Sequence, residues 1–287
     1  MSNIPGNTRM RIVSPAKINL FLHVVGTRPD GYHDLETLFQ FLDLHDIVEI
    51  EPAPNGVVER IDLHDFDLPE LDLTVRAAHL LAAHAGMGDP PGVRITLRKR
   101  VPCAGGLGGG SSNAAAVLIG LNMLWDLGLK TTDLLELGAR LGADVPIFIH
   151  GFSSWAEGIG NIFTPCAPPE MWCLVWIPDC GVSTKEVFEH PDLIRDHPPV
   201  TYRDFLEGRC GNSLEPVVRK LFKPVDEALS ILGQYGKAQL NGSGSSVFLP
   251  CQDRNDANRI RKLLPADRTI HVTRTLNTFT RLISESD

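Results

Sequence analysis

A glycine-rich run joins a predicted strand to a predicted helix in the first half of the chain. Residues 93–101 alternate between apolar and polar side chains, which is typical of a strand. Five glycines then occupy six positions, at residues 105, 106, 108, 109 and 110. Helical periodicity resumes at residues 113–124. The order of strand, glycine loop and helix therefore places bare backbone at a helix N-terminus.

A loop of this kind is suited to bind a polyphosphate. Its backbone N–H groups can approach an anion, and the unpaired N–H groups and positive dipole end of the next helix point to the same place. Ser111 and Ser112, which follow the last glycine, add hydroxyl donors or helix caps. A flexible turn without a ligand is the alternative. The residues predicted to bind phosphate are Pro102, Gly105, Gly106, Leu107, Gly108, Gly109, Gly110, Ser111 and Ser112.

Two common phosphate motifs do not fit this run. A Walker A loop needs a lysine after its last glycine, and no lysine lies inside the run. A dinucleotide fingerprint needs glycines at offsets of zero, two and five, and the run has serine or asparagine at the last of these. The loop therefore belongs to a different phosphate-binding class.

Length, composition and charge narrow the kinds of protein that remain. The chain has 287 residues, of which 43% are hydrophobic, and this favours two domains. A formal charge of −8 argues against nucleic-acid binding, because such proteins carry basic surfaces. No window reaches the roughly 20 apolar residues of a membrane helix. Six cysteines without a CxxC pair indicate reduced thiols and predict no metal site made of protein groups.

Periodic segments of both types recur along the whole chain. Residues 11–25 alternate as a strand, with Lys17 and Asn19 on the face opposite the apolar residues. Residues 28–31 have proline and glycine where a tight turn needs them. Helices are predicted at 74–85, 133–142, 217–232 and 256–264, and further strands at 48–51, 172–177, 247–249 and 269–273. The mixture predicts an α+β protein that divides near residue 156.

Five separated motifs then resemble one known family, the GHMP kinases. They are SPAKINL at 14–20, RPDGYH at 28–33, PCAGGLGGGSSN at 102–113, LGADVP at 141–146 and GSGSS at 242–246. Each motif alone is weak evidence for the family, but five motifs in the family's order are specific evidence for it. The resemblance extends from residue 11 to residue 282.

The resemblance implies a fold, a reaction and a setting. The fold is α+β, with a ribosomal protein S5 domain 2-like domain at 1–156, a ferredoxin-like domain at 157–287, and C-terminal residues that return to the first domain. The reaction is transfer of the γ-phosphate of ATP, carried with Mg²⁺, to the C2 hydroxyl of a CDP-linked methylerythritol, in the non-mevalonate route to isoprenoids. Without a signal peptide in residues 1–9, which we expect to be a loose extension, we predict a cytoplasmic monomer or weak homodimer.

The resemblance also implies the reacting side chains. Asp144 matches the family's base and Lys17 its partner cation, which suits a reaction in which an alcohol loses a proton. By local pattern alone, Asp144 would be a turn residue and Lys17 a solvated strand residue.

Further positions match the family's substrate contacts. Two aromatic side chains would stack on the cytosine and an imidazole would hydrogen-bond it. The matching residues are Asn19, Tyr32, His33, Thr184 and Phe188. A second glycine motif, which would approach the phosphates, consists of Gly242, Ser243 and Gly244.

Two other interpretations of the same motifs remain open. One is a GHMP kinase that acts on homoserine or mevalonate, and the other is a non-catalytic sensor of nucleotides or sugars on the same fold. The pair of Tyr32 and His33 favours a substrate that carries a nucleobase. The presence of Lys17 and Asp144 favours an enzyme over a sensor. Asp72 stands where many relatives have asparagine, so no adenine contact is assigned to it.

Overall fold

The computed structural model describes residues 9–64, 66–88, 91–103 and 105–283. Of the predicted extension at residues 1–9, only Arg9 lies within these ranges. The strands are β1 (Met10–Thr27), β2 (His33–Ala53), β3 (Val58–Asp62), β4 (Gly92–Arg98), β5 (Ser154–Glu157), β6 (Ile162–Pro165), β7 (Trp172–Trp176), β8 (Gln239–Leu240), β9 (Val247–Cys251), β10 (Ile270–Leu276) and β11 (Leu282–Ile283). The helices are α1 (Leu73–His84), α2 (Gly109–Leu124), α3 (Thr131–Leu141), α4 (Val145–His150), α5 (Thr184–Glu189), α6 (Tyr202–Leu206), α7 (Glu215–Leu221), α8 (Lys223–Leu232) and α9 (Arg254–Leu263).

Strand β2 lies at the centre of one continuous sheet. It pairs antiparallel with β1 along one edge. Along its other edge it pairs with β5 at residues 37–39, with β10 at 41–42 and with β4 at 47–53. From β10 the sheet continues through β7 and β9 to β8. The two halves of the chain therefore share hydrogen-bonded strands.

Three buried apolar clusters hold the helices on this sheet. One lies between β1, β2, β4 and helices α1 to α4, and a second lies between β7, β9 and helices α7 to α9. The third lies between them and includes Leu107 of the glycine run. The predicted α+β class is confirmed. Residue 156 lies inside β5, and the division of the chain there stays a prediction.

The elements around the glycine run differ from those predicted. Strand β4 ends at Arg98 instead of residue 101, because the N–H groups of Arg100 and Val101 donate to Asp46 Oδ1, at 2.6 and 2.8 Å, and not to a strand. Helix α2 begins at Gly109, four residues earlier than the periodicity predicted. The second half of the glycine run is therefore the first turn of a helix.

Two other helix ends also differ. Helix α3 begins at Thr131, and Asp133 lies in its first turn, where the carboxylate accepts from the N–H of Lys130 at 2.9 Å. The helix itself ends at Leu141, and Gly142 follows it in an extended conformation. The helix predicted at 217–232 is two helices, α7 and α8, which meet at Phe222 ahead of Pro224. Within the described ranges, each helix is too short or too polar to span a bilayer.

Two stacked histidines fasten β1 to the segment between α5 and α6. The rings of His23 and His197 are 3.5 Å apart at their centroids, and His23 Nε2 accepts from the N–H of Gly211 at 3.3 Å. Burial, with the neighbouring His197, lowers the pKa of His23 to about 4. His23 therefore stays neutral in the folded chain.

This arrangement predicts a loss of stability in mild acid. The unfolded chain binds a proton at His23 from pH 6.5 downward, whereas the folded chain binds it only near pH 4, so the free energy of unfolding falls across that window. The loss is about 3 kcal/mol. His23→Gln keeps an acceptor for the N–H of Gly211 but cannot bind the proton. Its free energy of unfolding, measured with urea at pH 7.5 and at pH 4.5, should therefore fall less between the two pH values than that of the wild type. His79→Gln, at an exposed position of α1, is the control, and an unchanged pH dependence in His23→Gln would contradict the prediction.

Candidate active site

Two cavities lie on either side of the glycine run. The first has a volume of about 470 Å³ and the second about 260 Å³. The residues that line the first cavity include Lys17, Asn19, Asp144, Thr184, Phe188, Gly242, Ser243 and Gly244. The residues that line the second cavity include Asp72, Lys99, Pro102, Gly108, Gly109 and Gly110. Gly106 and Ser111 line both, so the glycine run forms the partition between them.

The N-terminus of α2 faces the second cavity. Gly108 caps the helix without a side-chain bond, so neither serine acts as the predicted cap. The N–H of Ser112 closes the first helical bond, to Gly108 O at 2.8 Å, and the N–H groups of residues 109–111 precede that bond. Ser112 is buried and its Oγ accepts from Ser14 Oγ at 2.9 Å, whereas Ser111 lies at the partition. Among the described residues these three N–H groups have no backbone acceptor, so the start of a 16-residue helix presents free donors to a cavity.

Carbonyl groups hold the glycine run in place. Leu107 O accepts from the N–H of Lys17 at 2.9 Å, and Gly105 O accepts from the N–H of Ser246 at 3.1 Å. Gly106 O accepts from Asn241 Nδ2 at 3.1 Å. The residues that flank the second glycine motif therefore bind the first one, Ser246 through its backbone N–H and Asn241 through its side-chain amide. Asn241, which precedes that motif, was missed by the sequence analysis, although its side chain also accepts from the N–H of Asn19 at 2.9 Å.

The structure brings Lys17, Asn19 and Asp144 together. Lys17 Nζ lies 3.2 Å from Asp144 Oδ2 and donates to Asn19 Oδ1 at 2.7 Å. The Lys17 side chain is 3% exposed, while that of Asp144 is 35% exposed. Asp144 precedes α4 and makes no capping bond to it, so its carboxylate remains directed to the cavity that it lines. A buried ammonium beside an accessible carboxylate is an arrangement suited to proton transfer from an alcohol.

The amide of Asn19 has a fixed orientation. Its Nδ2 donates to Thr37 Oγ1 at 2.8 Å, and Thr37 Oγ1 in turn donates to Phe21 O at 2.5 Å. Asn19 Oδ1 must then face Lys17. Thr37 also lines the first cavity and was missed by the sequence analysis.

The remaining predicted contacts are only partly assembled. Thr184 and Ser243 share a hydrogen bond between their hydroxyls at 2.8 Å and both line the first cavity. The ring of His33 lies 5.2 Å from that of Phe188, at an angle of 36°. Tyr32 is 63% exposed and stands outside the cavity lining. The structure therefore pairs His33 with Phe188 but leaves the Tyr32 ring apart.

A buried ion pair supports the entry to the glycine run. Lys99 Nζ lies 2.7 Å from Asp46 Oδ2, and their side chains are 2% and 0% exposed. Asn113 accepts from Lys99 at 3.2 Å and donates to Asp46 at 3.0 Å and to Ser14 Oγ at 2.8 Å. The sequence analysis missed this cluster. One signal was present, because Lys99 occupies an apolar position in the alternation of residues 93–101.

Asp72 has a structural partner at the rim of the second cavity. Its Oδ1 accepts from the N–H groups of Thr74 and Val75, at 3.1 and 3.2 Å, and so caps α1. The same oxygen lies 3.0 Å from Arg60 Nη1. The aspartate at this position thus serves the helix and an ion pair.

Comparison with known proteins identifies the class. The model of the GHMP kinases N terminal domain matches residues 72–152, and that of the GHMP kinases C terminal matches residues 202–266. Together with the glycine run and the paired Lys17 and Asp144, these matches define a GHMP kinase.

Individual relatives refine this class. A 4-diphosphocytidyl-2-C-methyl-D-erythritol kinase of Alkalilimnicola ehrlichii is 49% identical over 253 residues, which cover 88% of this chain and 86% of the relative. The Pseudomonas aeruginosa enzyme of the same name is 44% identical and covers 90% and 91%. A crystal structure of 4-(cytidine 5'-diphospho)-2C-methyl-D-erythritol kinase has a TM-score of 0.79 at 32% identity, over 93% of this chain and 99% of that one. The chain belongs to the family of 4-diphosphocytidyl-2-C-methyl-D-erythritol kinases.

The contact between the two glycine motifs predicts the effect of adding one methyl group. Gly106 has a φ of +73°, and a Cβ there would lie 2.9 Å from Gly244 O and 3.0 Å from Asn241 O. Gly86 has a φ of +68° in open space. Gly106→Ala and Gly86→Ala carry the same backbone strain, but only the first creates overpacking, which should cost about 2 kcal/mol more. Equal free energies of unfolding in urea for the two variants would rule out the contact.

Proposed function

We propose that the chain transfers the γ-phosphate of ATP to the C2 hydroxyl of 4-diphosphocytidyl-2-C-methyl-D-erythritol, and so forms the 2-phosphate and ADP on the non-mevalonate route to isoprenoid precursors. The observation that carries the proposal is the position of Lys17 and Asp144 in the first cavity, across Ser111 and Gly106 from the helix N-terminus in the second. An acceptor and a triphosphate can therefore meet at the glycine run.

The nucleotide occupies the second cavity. Its phosphates lie at the N–H groups of residues 109–111, where the helix dipole and the unpaired donors favour an anion. Lys99 lines the same cavity, and its ammonium is held there by Asp46. The terminal phosphate reaches the partition at Ser111.

The acceptor occupies the first cavity. Its C2 oxygen attacks the γ-phosphorus while the bond from that phosphorus to the oxygen of ADP breaks, and the hydroxyl proton passes to the carboxylate of Asp144. The ammonium of Lys17 stabilises the negative charge that develops on the oxygen. Asn19 holds the ammonium in place through its fixed Oδ1.

Oxygen groups at the partition fit a magnesium ion. Mg²⁺ commonly binds one or two carboxylates together with substrate phosphates. Ser111 supplies a hydroxyl at the partition and Asp144 a carboxylate in the first cavity, while the described residues contain no cluster of three or more acidic, histidine or cysteine ligands. When bound with ATP, the ion would neutralise phosphate charge.

Side chains in the first cavity and next to it recognise the cytidine diphosphate. The pair of His33 and Phe188 is assigned to the cytosine base, with the exposed ring of Tyr32 as a further partner of the stack. The hydroxyls of Thr184 and Ser243 and the backbone of Gly242 and Gly244 are assigned to the diphosphate.

Removal of either reacting group should abolish most turnover. Asp144→Asn loses the proton acceptor and Lys17→Met loses the cation, and each should lower kcat about 10²- to 10⁴-fold. Binding of both substrates, measured by calorimetry, should change little. Surface variants Asp192→Asn and Lys223→Met are matched controls, because each changes one partner of an exposed ion pair. A kcat within a few-fold of wild type in Asp144→Asn would refute its role as the base.

A substrate panel tests the proposed activity directly. The protein is incubated with Mg-ATP and, separately, with 4-diphosphocytidyl-2-C-methyl-D-erythritol, homoserine and mevalonate, and ADP is measured. We expect ADP release only with the first, because the small acids contain no base for His33 and Phe188 to bind. ADP release only with homoserine or only with mevalonate would assign the chain to a different substrate. The absence of ADP release with all three compounds would favour a sensor.

A further inference from the structure

Arg195 connects His33 and Phe188, the two residues assigned to the cytosine base. It lies between α5 and α6, and its Nε donates to His33 Nε2 at 3.1 Å. Its terminal nitrogens donate to the carbonyls of Leu193, Phe188 and His190 at 3.0, 2.7 and 2.9 Å. One guanidinium thus fixes the imidazole of His33 and the carbonyl groups at the C-terminal end of α5, which carries Phe188.

The bond from Arg195 determines which nitrogen of His33 carries the proton. A guanidinium is always charged and can only donate, so His33 Nε2 must present its lone pair. In a neutral imidazole the proton is then on Nδ1. Burial, with the positive charge of Arg195, lowers the pKa of His33 and favours the neutral ring. Within the described residues Nδ1 has no hydrogen-bond partner, so its N–H is available to a ligand.

A donor at this position distinguishes two pyrimidines. Cytosine has a lone pair on N3 and accepts a hydrogen bond there, whereas uracil has an N–H at N3 and would meet the Nδ1–H of His33 donor to donor. A site that can only donate discriminates between them, because the wrong base leaves two donors without an acceptor.

We propose that Arg195 is a positioning residue for nucleobase specificity, which makes His33 an obligatory donor and so selects cytosine over uracil. The inference rests on the proposed function in that it places the base of the acceptor against His33. Arg195 itself does not need to touch the substrate. Its four hydrogen bonds, three of them to carbonyls of one short segment, leave the guanidinium no freedom to release the ring.

The test uses binding of CDP and UDP, so that it does not depend on turnover. Dissociation constants are measured by calorimetry for the wild-type protein, Arg195→Met and Arg203→Met. The last variant is the control, because Arg203 lies on α6 with an exposed side chain paired to Glu207. We expect the wild type and Arg203→Met to bind CDP at least about tenfold more tightly than UDP, and Arg195→Met to lose that ratio.

A purely structural role for Arg195 gives a different result. Loosening of the segment would weaken CDP and UDP alike and keep their ratio, and that outcome overturns the proposal, as does a wild-type protein without preference. A preference for CDP that depends on Arg195, found together with no phosphorylation of the CDP-linked substrate, would support the proposal while refuting the proposed function.

A second measurement needs no variant that must fold. Nitrogen-15 chemical shifts of the histidine rings in the wild-type protein report which nitrogen carries the proton. We expect Nδ1 of His33 to be protonated and Nε2 to be unprotonated at pH 7.5, without any ligand. Protonation of Nε2 in the neutral ring would overturn the proposal, because the bond from Arg195 could not then exist.

Discussion

The site depends on how the carbonyl groups of the glycine run are bound. Lys17 N–H, Ser246 N–H and the amide of Asn241 occupy the carbonyls of Leu107, Gly105 and Gly106. A carbonyl oxygen directed at a phosphate would repel it, and here those oxygens are turned toward protein donors. The N–H groups at the start of α2 are left for the anion. Since the three donors come from β1 and from the segment ahead of β9, the phosphate site exists only when both halves of the chain are folded together.

The buried lysines around this loop fix the geometry of the site more than they stabilise the fold. Lys17 and Lys99 are both almost fully buried, and each has one carboxylate and one asparagine within reach. Buried ion pairs contribute little net stability, because desolvation opposes their attraction. The two lysines lie on opposite sides of the glycine run, one in each cavity. Each lysine is neutralised by its own carboxylate, so the pairs fix the position of an ammonium group on each side of the loop without adding net charge.

Local pattern predicted those parts of the structure that local interactions determine. The alternation in β1 and the glycine run ahead of α2 could be recognised from the sequence, because each depends on neighbouring residues. The end of β4 was not, because Asp46 from β2 takes the N–H groups of Arg100 and Val101. The pairing of Lys17 with Asp144 is also a long-range contact, and only the family resemblance assigned those roles. Arg195 belongs to no motif, and its importance comes from an acceptor on His33 far away in the sequence.

The position of Asp144 depends on the last described residues of the chain. Asp144 begins a short helix, α4, and Arg281 donates to the carbonyls of Phe148 and Ile149 near its other end. The backbone of Arg281 also accepts from the N–H of Val13 at 2.7 Å, and β11 then pairs with β1. No carboxylate of the described chain pairs with Arg281, and burial lowers the pKa of its guanidinium, so its role is to bind the carbonyls of α4. Lys17 is on β1 and Asp144 precedes α4, and one arginine fastens both elements, so the C-terminal residues contribute to the spacing between the two reacting groups.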